Sequence, residues 1–229
     1  MSSRFESNAT TTTTAATESH MNRELFGVFG DRDSFDRMRS TDAFDDVLSG
    51  TGATVGIRDS SLDHSMRSAS YEGSDGMCVV FGELLSPTGT DNTAKWLLER
   101  YARHGFAAFT GLNGSYLVVI DHDGDTVVVT DSLRSWECFY ADVGGVRVFS
   151  TDPTALLSFV DQSALDRDAV LEFLHLGTVL GTATVFEQIH RVPFDGYLTV
   201  DDTAELSRFS YDPQRFDYVE ELATRMEQA

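Results

Sequence analysis

The sequence predicts an α+β protein built on a β-sandwich, and three observations carry that prediction. Tyr116 to Asp121 and Thr126 to Asp131 are apolar, β-branched runs separated by a turn holding Asp123 and Gly124, a strong hairpin signal. Val146 to Ser150 follows a second glycine turn, Gly144 and Gly145, so three successive strands are expected to form one meander. Leu117 to Ile120 and Val127 to Val129 are continuously apolar rather than alternating, which implies that both faces of the sheet are covered.

The remaining elements follow in chain order. Residues 1 to 22 are rich in Ser, Thr and Ala without apolar periodicity, and are expected to be a disordered tail. Glu24 to Gly30 reads as a strand closed by glycine, and Asp31 to Leu48 has helix-compatible spacing interrupted by polar residues. Ala53 to Ile57 is a weak strand, Arg58 to Asp75 polar and turn-like with some strand character, and Met77 to Leu85 a strong apolar strand. Asp91 is placed to cap a helix over Asn92 to His104, with Gly105 closing it. Asp152 to Phe159 reads as a short helix opened by Asp152 and Pro153. A further helix over Asp166 to Gly177 is expected to bury Val170, Phe173 and Leu174. Val185 to Ile189 and Gly196 to Val200 read as strands, and Tyr218 to Gln228 as an amphipathic helix.

Composition narrows the function classes. The 229 residues carry a net charge of −20, which argues against nucleic acid and anionic membrane surfaces as partners. Lys95 is the only lysine. Acidic excess with so little lysine fits a protein that works in concentrated salt, where repulsion is screened over a few ångströms; an acidic partner-binding surface is the alternative. Cys78 and Cys138 are too few for a disulfide framework and sit in apolar runs, so buried free thiols are expected. No signal peptide or membrane-length apolar run is present, and a cytoplasmic location is expected. Asp121, His122, Asp123 and Asp125 are rich in oxygen ligands, but their tight spacing around Asp-Gly reads as a solvated hairpin turn. No metal site is expected, because the histidines lack metal-ligand spacing.

Four segments in order carry a resemblance: GLNGSYLVVID at Gly111 to Asp121, TDSLRSWECFY at Thr130 to Tyr140, FSTD at Phe149 to Asp152, and TVFEQIHRVPFDGYLTV at Thr184 to Val200. Together they resemble the N-terminal glutaminase domain of the asparagine synthetase family, class II glutamine amidotransferases of the N-terminal nucleophile (Ntn) hydrolase fold. The resemblance covers roughly Phe26 to Pro213. It implies a four-layer α-β-β-α sandwich with two mostly antiparallel sheets and a glutaminase-like domain over residues 23 to 213. Residues 214 to 229 then begin the helix that leads, in the family, to an ATP pyrophosphatase synthetase domain. The Ser-Gly-Gly-Leu-Asp-Ser loop of that domain is not in this sequence, so ATP and magnesium are expected only of an absent synthetase half, and no cofactor of this chain.

The family's chemistry requires an N-terminal cysteine whose thiol attacks the glutamine amide while its own α-amino group, of pKa about 7.7 to 8.0, acts as base. FGVFG at Phe26 to Gly30 falls where the family has Cys-Gly-Ile-Phe-Gly, so the resemblance puts Phe26 in the nucleophile's place. Phe81, Gly82 and Glu83 match the family's Asn-Gly-Glu, whose Asn and Gly form the oxyanion hole; loss of such a donor costs about two to three decades in rate. No catalytic residue is therefore expected. Glu83, Asp91 and Arg58 match groups that hold the substrate glutamine, and they have plain readings too: a strand-end carboxylate, a helix N-cap and a loop charge. The resemblance thus implies a glutaminase-like pseudoenzyme of amino-acid biosynthesis acting as scaffold for an ATP-dependent, amide-forming synthetase domain or subunit. The alternatives are a working glutamine-hydrolysing component with an unrecognised nucleophile, and a free-standing module that binds glutamine or a similar amino acid.

Overall fold

The computed structural model describes residues 23–59, 68–87, 90–161 and 164–206. The N-terminal tail and the helix expected over 218–228 lie outside them. Twelve strands are assigned among the described residues: β1 (Glu24–Val28), β2 (Asp46–Ser49), β3 (Thr54–Arg58), β4 (Ala69–Gly73), β5 (Gly76–Leu85), β6 (Asn113–His122), β7 (Asp125–Thr130), β8 (Phe139–Val143), β9 (Val146–Ser150), β10 (His190–Arg191), β11 (Gly196–Leu198) and β12 (Thr203–Glu205). The α-helices are α1 (Arg32–Met38), α2 (Thr93–His104) and α3 (Arg167–Leu176).

The strands form two six-stranded sheets, ordered β10-β8-β9-β1-β3-β2 and β12-β11-β7-β6-β5-β4, with every ladder antiparallel. Strand alternation sorts the side chains of each strand between two faces. Leu25, Val55 and Ile57 of the first sheet meet Met77, Val79, Phe81, Leu117, Val119 and Val128 of the second in a central core. The opposite face of the second sheet (Cys78, Val80, Val118, Ile120) packs on Ala94, Leu97 and Leu98 of α2. The opposite face of the first sheet (Phe26, Val28, Ala141, Val148) packs on Phe35 of α1. The architecture is therefore the expected four-layer α-β-β-α sandwich, and β5 to β7 read as unbroken apolar runs because they are buried on both faces.

Asp123 and Gly124 both take positive φ, +54° and +87°, as the β6–β7 hairpin turn requires. The predicted three-strand meander is corrected. β9 pairs with β8 and β1 in the first sheet, not with β7. The chain leaves the second sheet at Asp131, whose carboxylate accepts the backbone N–H groups of Tyr116 (3.1 Å), Leu133 (2.8 Å) and Ser135 (3.0 Å). Arg134 adopts φ +50° in this turn, and Cys138 then enters the central core, which carries β8 across to the other sheet.

Other expectations are also corrected. Asn92, not Asp91, caps α2, its Oδ1 accepting the Lys95 N–H at 2.9 Å. The helix expected over Asp31 to Leu48 is the short α1 followed by β2. Asp152 to Phe159 contains only a 3-10 turn over Pro153–Ala155, and Val185 to Ile189 is no strand, contributing one bridge between Phe186 and Leu165. Arg58 ends β3 rather than opening a loop. α3 is capped by Asp166 and closed by Gly177 in the left-handed region, but its expected buried stripe is open: Phe173 is 52% and Leu174 72% exposed, and only Ala169 is buried.

Candidate functional site

The residues singled out in the sequence come from both sheets, and strand parity decides where each one points. On β1, Leu25 faces the central core while Glu24 and Phe26, one residue to either side, face outward. Phe26 is fully buried there, with ring centroids 5.6 Å from Phe35, 6.3 Å from Phe44 and 6.2 Å from Phe159. The Arg39 guanidinium lies 5.2 Å from the Phe26 ring centroid and donates to the Glu24 carboxylate at 3.0 and 3.3 Å. Arg58 donates to Oε2 of the same carboxylate, the oxygen that also accepts the longer Arg39 bond. Arg58 therefore already holds an anion supplied by the chain, and Glu24, 2% exposed, is the group that a sequence reading passes over.

Phe81 and Gly82 lie in the other sheet, in a separate cluster. Phe81 points into the central core and meets Trp136 edge to face at 4.9 Å. The Arg23 guanidinium sits 5.0 Å from the Phe81 ring and 4.8 Å from the Trp136 ring, a cation–π arrangement. Arg23 is ion-paired with Asp59 at 2.7 Å, and Asp59 accepts the Ser68 N–H and O–H at 2.8 Å each. Burial pushes the Asp59 carboxyl up, but the Ser68 donors and Arg23 outweigh it and hold the group below the usual carboxylate range.

Gly82 makes this end of the sandwich possible. Its φ is +93°, and a Cβ there would overlap the Trp136 Nε1 and the Ser115 carbonyl oxygen. The Trp136 N–H donates to that same oxygen at 3.1 Å. The seam between the sheets next to Gly82 is thus filled by Arg23, Phe81 and Trp136. Phe26 is on the other side of its own sheet, so the structure does not bring Phe26 and Gly82 together. Glu83, the next residue of β5, is exposed, and Asp91 is exposed on the loop before α2; neither is drawn into the seam. Arg23 could have been found from period-two alternation, which puts residue 23 on the same face as Leu25, whereas Trp136 lies in the bend before β8 and has no such signal.

Both thiols are fully buried, and burial pushes each well above its ordinary pKa, which disfavours the thiolate. Asp121, expected in a solvated turn, is 1% exposed. It accepts the Thr51 O–H (3.0 Å), the Gly52 and Ala53 N–H groups (2.6 and 2.9 Å) and the Thr126 O–H (3.0 Å). Among the described residues no cluster of His, Cys, Asp and Glu is arranged to hold a metal ion, and no helix is long and apolar enough to cross a membrane.

The fold and this geometry define a two-sheet α-β-β-α sandwich whose seam near Gly82 is plugged by side chains. Among solved structures, the chain is similar to an allosteric regulatory enzyme of purine biosynthesis, with 13% identity over 82% of this chain and 44% of that one and a TM-score of 0.44. It is similar also to glutamine phosphoribosylpyrophosphate amidotransferase from B. subtilis, with 10% identity over 79% and 43% of the two chains and a TM-score of 0.38. The chain spans less than half the length of either protein. No protein-family model matches the sequence, and no curated protein matches it.

Proposed function

We propose that this chain is a glutaminase-fold domain of the asparagine synthetase type that does not hydrolyse glutamine, and that it serves as the structural partner of an ATP-dependent, amide-forming synthetase half. One observation carries the reading: the seam at Gly82 holds a guanidinium and two aromatic rings, packed at 4.8 to 5.0 Å from one another. Amide hydrolysis by this type of chemistry needs a thiol or hydroxyl beside a free amine, with N–H donors aimed at the developing oxyanion. Here the two thiols lie inside apolar clusters. The Gly82 backbone is pressed against the Trp136 indole, and Arg58 is held by Glu24. The four-layer sandwich and the order of the four sequence segments support the domain class.

The test is ammonia release from glutamine by the full chain, with glutamine binding followed by calorimetry on the same sample. The expected result is hydrolysis no faster than buffer and no saturable heat. Hydrolysis that disappears in Cys78→Ser would overturn the reading in favour of a working amidotransferase. Glutamine binding without hydrolysis, weakened in Asp91→Ala, would replace the structural partner with an amino-acid-binding module.

A further inference from the structure

A second group of arginines stands beside the turn that carries Trp136. Two arginines, Arg134 at the turn after β7 and Arg191 on β10, share one carboxylate. Glu137 Oε1 lies 3.6 Å from a terminal nitrogen of each, beyond hydrogen-bond range. The two guanidinium side chains are 5% and 13% exposed, whereas that of Glu137 is 45% exposed. Backbone carbonyls take one N–H from each, Val192 from Arg134 at 3.2 Å and Val179 from Arg191 at 3.4 Å. The Nε of both arginines is buried without a hydrogen-bond partner. Against these two buried positive charges Glu137 brings one half-exposed negative charge, and the rings of Phe194, 3.9 Å from the Arg134 guanidinium, and Phe139, 5.6 Å from that of Arg191, are neutral partners. Arg134 shows the consequence: burial first, then Arg191, hold its pKa below the usual value, and Glu137 only partly offsets them.

Arg191 and Glu137 also line a cleft of about 310 Å³ between the C-terminal end of α3 and the edge of the first sheet. Its other walls are mostly apolar and include Phe139, Phe173 and Phe186. The volume is at the lower end of the range for small-molecule sites, and an apolar enclosure with a few convergent polar groups is their usual form. Phe173 is half exposed at this cleft, which explains why α3 carries an aromatic residue that its own packing does not use.

We propose that this cleft binds a small apolar carboxylic acid, its carboxylate paired with Arg191 and its hydrocarbon or aryl body laid against Phe139, Phe173 and Phe186. Arg134 stands behind Arg191 and supplies the second positive charge. A guanidinium is the side chain suited to this task, because it remains charged when buried and presents a fork that matches a carboxylate. Glu137 is then an internal competitor for the same guanidinium.

Calorimetry on the full chain with phenylacetate and with its neutral amide tests the proposal. The acid is expected to bind saturably at one site and the amide at least tenfold more weakly. Arg191→Gln should weaken the acid at least tenfold without changing the amide, and Glu137→Gln should tighten the acid several-fold by removing the competitor. The Glu137→Gln arm protects against misreading a folding defect, since a damaged protein does not bind more tightly. Equal binding of acid and amide, no saturable binding of the acid at roughly 10 mM, near the weak limit of specific recognition, or weaker binding in Glu137→Gln would each overturn it.

Discussion

The two ends of the sandwich are closed by opposite means. At the Gly82 end, aromatic rings and an arginine fill the gap between the sheets, and two carboxylates, Asp59 and Glu24, are matched by guanidinium groups, while a third, Asp131, is held by backbone N–H groups. At the other end of the same β5–β6 ladder, Asp121 is buried with no cation, its charge satisfied by two hydroxyls and two backbone N–H groups of the loop between β2 and β3. A carboxylate that accepts several short N–H and O–H bonds is stabilised in its charged form as effectively as one beside a cation. The first arrangement depends on shape, the second on a fixed set of dipoles, so they should fail under different substitutions.

The largest effect is expected at the end that depends on shape. Gly82→Val would place a branched side chain at φ +93°, against the Trp136 indole and the Ser115 carbonyl. The indole cannot move without displacing Phe81 or Arg23, and Ser115 is held in the β5–β6 ladder opposite Glu83. The cost should be at least about 4 kcal/mol, in the range of overpacking combined with backbone strain, measured by urea unfolding with far-UV circular dichroism. A cost below about 1 kcal/mol would mean that the seam is loosely filled, and the contrast between the ends would collapse.

Asp121→Asn tests the other end. The amide keeps the shape but loses the charge and turns an NH2 toward at least one group that is itself a donor. Hydrogen bonds to a charged group contribute about 1.5–3 kcal/mol each, and repacking will recover part of the loss, so about 2–4 kcal/mol is expected. Hydrogen exchange adds a local readout, because the Gly52 and Ala53 amides should lose protection before the amides of β5. If instead every amide loses protection together, Asp121 is a global rather than a local anchor.

How far the sequence foretold this contrast depends on which face each residue serves. β5, β6 and β7 were legible because burial on both faces leaves continuous apolar runs, and the hairpin was legible because Asp123 and Gly124 announce positive φ. The crossing of β8 and β9 to the other sheet was not, since the Asp131 turn that redirects the chain is built from contacts to Tyr116, Leu133 and Ser135 rather than from a turn dipeptide. α3 misled for a related reason: Val170, Phe173 and Leu174 have helical spacing, yet spacing records what a face could bury and not whether anything covers it. At the site, Glu24 and Asp121 look like ordinary surface carboxylates in the chain. Most partners of each lie 15 to 70 positions away, which no local pattern encodes. Parity also decides where Phe26 points, since a shift of one residue along a strand exchanges the central core for the outer face.

The smallest effect separates the two ends by pH. Asp59 has a folded pKa below the usual aspartate value of about 3.8, so it binds protons less readily in the native than in the unfolded state. Its contribution is therefore fully present above the unfolded pKa and is lost as pH falls through the folded value. Asp59→Asn should cost about 1 kcal/mol at pH 7, where the ion pair with Arg23 and the Ser68 bonds are intact. Below the folded pKa the wild-type carboxyl is itself protonated, and the two proteins should converge in stability. Urea unfolding at pH 7, 4 and 2.5 reads the convergence directly. A difference between wild type and variant that stays constant down to the lowest pH would show that Asp59 acts through packing alone, and that the Gly82 end does not rest on paired charge.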